Sequence, residues 1–336
     1  MKTSIVILNW NGAQMLRRFL PSVLANSPEA DVIVADNAST DDSLQLLREE
    51  FPSVRTIVLD QNYGFAEGYN RALAEVEADV YVLLNSDVEV TPHWLRPILS
   101  YLEAHPECAA VQPKLRAEHS REMFEYAGAA GGYIDRYGYP YCRGRVFGAV
   151  EKDCGQYDSP ASLAWATGAA LVIRSKAWHE VGGLDGTFFA HQEEIDLCWR
   201  LRARGYDIVC CPESVVYHVG GGTLPQGSPR KTYLNFRNNL LLLYKNLPDA
   251  ELRHVLRIRR WLDAVAALKE LLTLNLPNFR AIRRARRDFR RECHNYDAVR
   301  QENLRLTSIY NIRAREVILW HYYILRHTTY SQIHRS

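Results

Sequence analysis

Two sets of acidic side chains have the type and position that a chemical role would need. Asp87 follows the apolar run Val80–Leu84, which predicts a carboxylate at the carboxyl end of a strand, where open α/β sheets bind ligands. Glu193 and Glu194 begin a predicted helix. Carboxylates can ligate a divalent cation or accept a proton from a hydroxyl. Acids also favour turns and first helical turns for structural reasons, so these residues alone do not define a site.

Polar residues or glycines follow every predicted strand at the same end. Because the carboxyl ends of parallel strands meet at one edge of a sheet, this layout predicts a nucleotide pocket, and glycines permit close backbone approach to a ligand. Neither GxGxxG nor GxxxxGK[ST] occurs, so a dinucleotide site or a P-loop is not supported. The candidate nucleotide-binding residues are Asn9, Asp36, Asn37, Gly68, Asn70 and Asn85.

Alternating strands and helices must position these residues. Apolar, β-branched runs predict buried strands at 4–8, 32–35, 56–59 and 80–84, with segments of helical period between them. This succession is typical of a parallel α/β sheet. The following region, about 111–167, is rich in Gly, Tyr and Pro and predicts loops and short strands that line a cleft.

The second half of the chain becomes increasingly helical. A strand at 169–173 precedes two helices, the second from about 192 to 204, and His218 follows another strand-like run. Asp196 and Arg200 lie four residues apart in the second helix, which predicts an ion pair on the helix surface. Beyond 233 the pattern is helical almost to the end, with a break at 275–278.

Charge is unevenly distributed. The formal net charge is +2, but residues 246–336 carry +9 and the preceding 245 residues carry −7. Six arginines between 283 and 291 form the densest cluster, which a helix would spread around much of its circumference. Arginines among apolar residues at helical spacing fit an anionic membrane surface at least as well as nucleic acid. A solvated basic face is the third interpretation.

Composition excludes several classes of protein. The chain has 336 residues, 47% hydrophobic and 24% charged, which indicates one or two globular domains and excludes disorder, collagen and coiled coil. It has no run of about eighteen apolar residues and no signal-peptide pattern, so we expect an intracellular protein that does not span a membrane. Seven cysteines without CxxC or zinc spacing predict reduced core thiols.

Six motifs occur in order within residues 3–245. They are NWNG (9–12), ADNASTDDS (35–43), NYGFAEGYNRA (62–72), LLNSDVEV (83–90), TGAALVIRSKAWHEVGGLDGTFF (167–189) and EEIDLCWRLRARGY (193–206). This series resembles the family 2 glycosyltransferases, in particular the rhamnosyltransferase-like branch. The resemblance implies a GT-A fold, a nucleotide-diphospho-sugar donor, a divalent cation (Mg²⁺ or Mn²⁺) and transfer with inversion at the anomeric carbon.

The resemblance also implies which residues bind the metal. Asn85-Ser86-Asp87 matches the family's DxD-type motif, which makes Asp87 the implied ligand of metal and diphosphate. Asn85 replaces the acidic first position, so one charge fewer holds the ion, although the amide can hydrogen-bond a ribose or phosphate. His218 matches a position where relatives supply a second metal ligand.

Catalytic and nucleotide-binding roles follow in the same way. Glu194 matches the general base that takes the proton of the acceptor hydroxyl. It replaces a more usual aspartate, so either the backbone sits farther back or Glu193 shares the role. Asp36 and Asn37 match the base-binding and ribose-binding segment, and the backbone around Asn9 should close over the same group. An amide oxygen can accept from a pyrimidine N3–H, which favours UDP or dTDP and leaves guanine open.

The sequence thus predicts an inverting glycosyltransferase that modifies a hydroxyl of a glycan or lipid-linked glycan in cell-surface polysaccharide synthesis. Residues 1–235 are the predicted GT-A domain, with a nucleotide-sugar half (1–110) and an acceptor half (111–235), and 236–336 form a basic helical region. The alternatives are a sugar nucleotidyltransferase and a catalytically inactive glycan-binding protein. The expected location is the cytoplasm, with peripheral contact to an anionic inner membrane face and no nucleic-acid partner.

Overall fold

The computed structural model describes residues 1–220, 227–308 and 312–334 and is organised around β-strands in two sheets. The strands are β1 (Thr3–Asn9), β2 (Asp31–Asp36), β3 (Arg55–Val58), β4 (Val80–Asn85), β5 (Val88–Val90), β6 (Cys108–Ala117), β7 (Ser120–Phe124), β8 (Gly132–Ile134), β9 (Pro140–Cys142), β10 (Arg145–Val146), β11 (Ala149–Val150), β12 (Ala161–Ser162), β13 (Ala170–Arg174) and β14 (Asp207–His218).

Helices flank the sheets and form most of the carboxyl-terminal region. They are α1 (Ala13–Asn26), α2 (Ser43–Glu50), α3 (Gly64–Ala74), α4 (Leu95–Ala104), α5 (Ser175–Glu180), α6 (Glu193–Ala203), α7 (Pro229–Asn246), α8 (Asp249–Leu272), α9 (Leu276–Glu292), α10 (Asp297–Leu306), α11 (Ile318–Tyr323) and α12 (Tyr330–Ile333), with 3₁₀ turns at Gly186–Phe188 and Cys293–Tyr296.

The first four long strands form the parallel half of the main sheet, as predicted. The sheet has the order β12-β14-β6-β13-β4-β1-β2-β3, and β4, β1, β2 and β3 run parallel. The apolar residues of the central strands β1 and β4 are buried on both faces, which explains their continuous hydrophobic runs. The register pairs Asn9 with Asp36 and Leu8 with Asn85, so the predicted strand-end residues do meet at one edge.

Each face of the sheet carries its own hydrophobic core. Ile5 and Ile7 point to the side covered by α1, α2 and α4, whereas Val6 points to the side covered by α3, α6 and α7. This alternation follows from the two-residue period of a strand. The architecture is the α/β arrangement expected for a GT-A fold, a mostly parallel sheet with helices on both faces.

A long buried strand lies where the sequence predicts only loops and short strands. β6 runs through the centre of the sheet between β14 and β13, although Lys114 and Arg116 interrupt its apolar pattern. Asp153 accepts hydrogen bonds from Lys114 Nζ at 3.0 Å and Arg116 Nε at 2.7 Å. These contacts satisfy polar groups inside the sheet. The rest of the region does contain short strands, β8 to β11, in a separate antiparallel sheet.

The carboxyl-terminal helices are joined to the sheet domain by buried charge. α7 continues through residue 235, so the predicted boundary there falls inside a helix, and the division into two domains stays a prediction. The prediction of a surface pair between Asp196 and Arg200 is wrong, because both residues are buried. The carboxylate of Asp196 accepts from Arg200 Nε at 2.9 Å, Lys245 Nζ at 2.8 Å and Asn246 Nδ2 at 2.9 Å.

Lys245→Met should destabilise the protein by about 3 kcal/mol, since loss of one partner of a buried ion pair costs about 3–5 kcal/mol and Arg200 still holds Asp196. Burial raises the pKa of Asp196, but Lys245 and Arg200 together lower it to about 2. The network therefore stabilises the fold above the unfolded pKa near 3.9 and loses this effect as the pH falls towards 2.

Urea unfolding of Lys245→Met measures this loss. The control is Lys269→Met, whose ion pair with Glu270 is exposed on the lysine side, so its removal should change the free energy of unfolding by less than about 1 kcal/mol. Equal stability of the two variants at pH 7 would contradict the importance of the buried network.

Two further expectations concern membranes and cysteines. None of the helices in the described ranges is long and apolar enough to cross a membrane. All seven cysteines are unpaired, and six of them are buried as predicted. Cys154 is the exception, because it lies exposed in the loop before β12.

Candidate active site

The ends of β1 and β2 bring Asn9, Asp36 and Asn37 together. Asn9 Nδ2 donates to Asp36 Oδ2 at 3.0 Å, and the backbone N–H of Asn37 donates to the Asn9 carbonyl at 2.8 Å. The backbone N–H of Ser39 donates to Asp36 Oδ1 at 2.9 Å. Asn9 Oδ1 is buried and has no hydrogen-bond partner in the part of the chain that the structure describes. This oxygen is an acceptor available to a ligand group.

The side chain of Asn37 holds the loop that follows β3. Its Nδ2 donates to the Gly64 carbonyl at 2.9 Å, and its Oδ1 accepts from the backbone N–H of Tyr63 at 3.0 Å. Gly64 has a positive φ of 75°, which glycine adopts without strain. Asn37 thus fixes the start of α3 against the end of β2, and its predicted contact with a nucleotide stays a prediction.

Gly68 and Asn70 make packing contacts on α3. A Cβ at Gly68 would lie 2.9 Å from Leu8 Cδ2, so glycine lets the helix approach β1 closely. The Asn70 amide pairs with the backbone of Leu184 at both ends, with Nδ2 donating at 2.8 Å and Oδ1 accepting at 3.0 Å. These contacts already occupy the groups that were expected to face a nucleotide, so their nucleotide-binding role is still untested.

The structure brings Asp87 and His218 into contact. His218 is the last residue of β14, which pairs with β5 directly after Asp87. His218 Nε2 lies 3.1 Å from Asp87 Oδ1 and 3.5 Å from Asn85 Nδ2. Burial raises the pKa of Asp87, but the hydrogen bond and the charge of His218 lower it by more. The pKa of Asp87 is therefore below its usual value. The carboxylate is therefore ionised at neutral pH.

A residue that the sequence analysis missed, Glu125, contacts the other side of His218. Glu125 Oε1 lies 3.3 Å from His218 Nδ1, and Glu125 Oε2 accepts from the backbone N–H groups of Ala127 at 2.6 Å and Gly128 at 3.1 Å. Burial lowers the pKa of His218, but Glu125 and Asp87 outweigh it and raise the pKa to about 10. No local motif marks Glu125, because its partner lies 93 residues later in the chain.

The Asp87–His218 pair fits one side of a divalent-cation site. Asp87 Oδ1 and His218 Nε2 lie 3.1 Å apart, at hydrogen-bond distance, and would hold a cation together once the imidazole has lost its Nε2 proton. Glu125 on Nδ1 is the outer carboxylate that commonly orients a metal-binding histidine. Within the described residues, no group of three acidic, histidine or cysteine side chains is arranged to hold an ion. The remaining ligands would have to come from a bound donor.

The acid pair Glu193 and Glu194 begins α6, with Glu193 buried and Glu194 half-buried. One carboxylate oxygen of each, Oε2, has no hydrogen-bond partner among residues 1–220, 227–308 and 312–334. Burial raises the pKa of Glu194 to about 7, and burial together with the charge of Glu194 raises the pKa of Glu193. Buried carboxyl groups with free oxygens and raised pKa values are typical of proton-transfer sites.

The turn before the acid pair has a strained backbone. Phe189, His191 and Gln192 have positive φ values of 64°, 70° and 75°, which non-glycine residues rarely adopt. Asn238 of α7 supports this turn, because its Nδ2 lies 2.8 Å from the His191 carbonyl. Strain of this kind clusters at functional sites, where the surrounding structure has to maintain it.

Contacts around Gly168 connect the end of β4, which precedes Asp87, to the acid pair. The backbone N–H of Asn85 donates to the Ala169 carbonyl at 3.0 Å. A Cβ at the adjacent Gly168 would lie 3.1 Å from the Phe65 ring and 3.7 Å from the Cβ of Glu194. The predicted metal ligands and the predicted base therefore lie in one region, between the ends of β4 and β13 and the start of α6.

Sequence comparison gives a family for this domain. The family model described as Glycosyl transferase family 2 matches residues 4–145. The N-acetylglucosaminyl-diphospho-decaprenol L-rhamnosyltransferase of Mycobacterium tuberculosis is 26% identical over 232 residues, which are 64% of this chain and 75% of that protein. The O-antigen biosynthesis protein RfbC of Myxococcus xanthus is 25% identical over 69% of this chain, which spans only 18% of its length.

Solved structures support the fold. GalNAc-T7 with UDP, GalNAc and Mn²⁺ matches with a TM-score of 0.62 and 16% identity, covering 94% of this chain and 59% of that one. Residues 1–349 of S. aureus TarS with UDP-GlcNAc match with a TM-score of 0.55 and 15% identity, covering 91% and 92% of the two chains. Residues 4–145 thus match the family 2 glycosyltransferases, the chain has a GT-A fold, and it is similar to an L-rhamnosyltransferase.

Proposed function

We propose that this protein transfers a sugar from a UDP- or dTDP-linked donor to a hydroxyl of a lipid-linked glycan, with inversion, in cell-surface polysaccharide synthesis. The observation that carries the proposal is the acid pair at the start of α6, each member of which has a buried carboxylate oxygen without a hydrogen-bond partner among the described residues. Two relatives are named for O-antigen synthesis and for transfer to a diphospho-decaprenol acceptor, which supports this acceptor class.

Each group has a defined role in this proposal. Asp87 and His218 would hold Mg²⁺ or Mn²⁺, which, when bound, offsets the charge that develops on the departing diphosphate. Glu125 keeps the imidazole of His218 oriented through Nδ1. Glu194 accepts the proton of the attacking hydroxyl, and its raised pKa makes it a better base than an exposed carboxylate. Asn9 Oδ1 and the end of β2 contact the nucleotide.

The two alternatives have less support. A sugar nucleotidyltransferase would need a glycine-rich, basic phosphate loop near its start, and residues 9–19 contain a single glycine. A catalytically inactive glycan-binding protein would have no reason to maintain two buried carboxylate oxygens, without partners in the described ranges, behind a strained turn. The relative from Mycobacterium tuberculosis named above is an L-rhamnosyltransferase, in agreement with the first interpretation.

We further propose a cytoplasmic protein that contacts an anionic membrane from one side. The net charge of +9 on residues 246–336 supports this location. So does an apolar stripe on α8, because Trp261, Val265, Leu268 and Leu272 follow one another at helical spacing and are 51–73% exposed. An exposed apolar stripe beside basic helices supports the peripheral contact that the interleaved arginines and apolar residues of the sequence predict.

Nucleotide sugars should stabilise the protein against heat in the presence of Mn²⁺. A donor at a hundred times its dissociation constant adds about 2.7 kcal/mol to the free energy of unfolding. UDP-, dTDP- and GDP-sugars are compared with and without EDTA, with the matching nucleoside as control. We expect a metal-dependent shift of the melting temperature with a pyrimidine donor and none with the nucleoside. Absence of a shift with every donor would contradict the proposal.

A further inference from the structure

A large basic groove adjoins the turn that precedes the acid pair and is separate from the strand-end residues. It encloses about 1170 Å³ and lies between α7 and α9. Phe189, in the strained turn before the acid pair, forms part of its lining together with Arg230. Pro277 and Phe279 line it where α9 begins. Phe189 is thus the lining residue that the groove shares with the turn before the acid pair, and the rest of the groove runs along the carboxyl-terminal helices.

The arginine cluster faces this groove more than the sequence predicts. A single helix would spread the six arginines around its circumference, yet five of them line the groove. Apolar residues of α9, including Ile282, Ala285 and Phe289, are buried, which leaves most of the arginines on the exposed side of the helix, at the opening of the groove. The five are Arg283, Arg284, Arg286, Arg287 and Arg290, and Arg230 and Arg280 bring the total to seven.

Most of this positive charge is not neutralised by the protein. Asp288 pairs with Arg284 and Arg287, and Asp263 pairs with Arg286. The other four arginines of the groove have no carboxylate partner in the described ranges, and two of them contact aromatic rings instead. Several free guanidinium groups around one concave space match a ligand with clustered negative charge, because arginine binds phosphate oxygens in bidentate geometry.

We propose that the groove binds the diphosphate of a lipid-diphosphate-linked acceptor and so leads the terminal sugar of that acceptor to the acid pair. This inference rests on the proposed transfer to a lipid-linked glycan. The groove has room for a diphosphate and the adjoining sugar. Tyr233 and Phe189 provide apolar faces beside the arginines, as sugar rings and a first lipid segment require.

Exposed apolar residues at the start of α9 favour a lipid-bearing ligand over a free diphosphate. The apolar stripe of α8 ends at Leu272, and Leu274 and Leu276 are also exposed directly before Pro277 of the groove. Exposed leucines in succession are expensive in water and favour contact with a membrane or a lipid tail. A lipid carrier would thus lie beside these residues while its diphosphate enters the groove.

The test compares the binding of farnesyl diphosphate to three forms of the full chain by calorimetry, without donor. The first is the wild type, and the second is Arg283→Gln/Arg290→Gln, which removes two groove arginines that have no carboxylate partner in the described residues. The control is Arg260→Gln/Arg291→Gln, which removes two exposed arginines outside the groove lining. We expect the groove variant to bind about tenfold or more weakly and the control to change affinity by less than about twofold.

Three outcomes would overturn the inference. Equal affinity of the groove and control variants for farnesyl diphosphate would show that the groove arginines do not bind the diphosphate. Equal affinity of the wild type for farnesyl diphosphate and inorganic pyrophosphate would show that the lipid tail makes no contribution to binding. Binding of all three forms to phosphatidylglycerol vesicles, without binding of farnesyl diphosphate, would make the cluster a general membrane contact. Arg230→Gln, on the α7 wall, serves as a second groove variant and should also weaken binding if α9 does not tolerate the double change.

Failure of the groove and failure of the proposed function remain distinguishable. The calorimetry requires no donor and no turnover. If farnesyl diphosphate binds through the groove arginines but no nucleotide sugar stabilises the protein, the transferase proposal fails and the groove stands. If nucleotide sugars bind with Mn²⁺ but farnesyl diphosphate does not, the transferase proposal stands and the groove is not the acceptor site.

Discussion

Glu194→Gln lowers the rate of sugar transfer by about two to four orders of magnitude, the usual effect of losing a general base. The amide is nearly isosteric with the carboxylate but cannot accept the proton of the acceptor hydroxyl. Donor affinity should change little, because the described contacts of the predicted donor-binding residues do not involve Glu194. Steady-state rates with saturating donor, together with donor affinity by calorimetry, measure both quantities.

The neighbouring acid provides the matched control for this prediction. Glu193→Gln makes the same chemical change one residue earlier, where Oε2 is also buried and without a partner among the described residues. We expect a smaller loss of rate than for Glu194→Gln. A larger loss in Glu193→Gln, or more than a tenth of the wild-type rate in Glu194→Gln, would assign the base to Glu193.

The same assignment predicts how the rate depends on pH. Burial raises the pKa of Glu194 to about 7, and a general base has to be ionised to act. The value of kcat/KM should therefore rise as the pH increases through about 7 and level off above it. This limb should be absent from the residual activity of Glu194→Gln.

Asp87→Ala should lower metal-dependent donor affinity by at least about tenfold, since even outer-shell changes commonly cost about 10- to 100-fold in metal affinity. The change removes the carboxylate that lies 3.1 Å from His218 Nε2 and leaves the histidine with Glu125 alone. Donor titrations by calorimetry with Mn²⁺ and with EDTA measure the metal-dependent part.

Glu89→Ala is the control for Asp87→Ala. Glu89 lies two residues away in β5 and pairs with Arg121 at 2.7 Å, outside the contact between Asp87 and His218. Its removal should leave donor affinity nearly unchanged. Identical donor affinity of the wild type with and without Mn²⁺ would contradict the metal role of Asp87, whatever the variants do.

Short-range sequence patterns are enough to predict the parallel half of the sheet, because each of its strands is marked by its own apolar residues. β1 and β4 are short apolar runs buried on both faces, β2 is buried from Ile33 onwards, and β3 is a short apolar run at the sheet edge with Ile57 buried. Strand β6 could not be predicted in the same way, since Lys114 and Arg116 look like surface residues until Asp153 is placed beside them. Tertiary pairing, rather than intrinsic propensity, places this strand in the sheet.

The candidate site, too, can be predicted only where a short motif marks its residues. Motifs identify Asp87, Glu193 and Glu194, because each stands at the end of a strand or the start of a helix. The residues that support them, Glu125 and Asn238, come from distant segments without a motif of their own. The charge pattern likewise predicts a basic helix but not the groove, which exists only once α9 packs against α7.

The anomeric configuration of the sugar first released in donor hydrolysis tests the central claim most directly. The donor is the nucleotide sugar that stabilises the protein against heat, and it is incubated with enzyme and Mn²⁺ without acceptor, so that water takes the place of the acceptor hydroxyl. Proton NMR records the released sugar at early times, before mutarotation equilibrates its anomers. Single displacement assisted by Glu194 predicts that the first sugar released has the configuration opposite to that in the donor, and that Glu194→Gln slows its release. Release with retained configuration, or equal release by wild type and Glu194→Gln, would contradict the account.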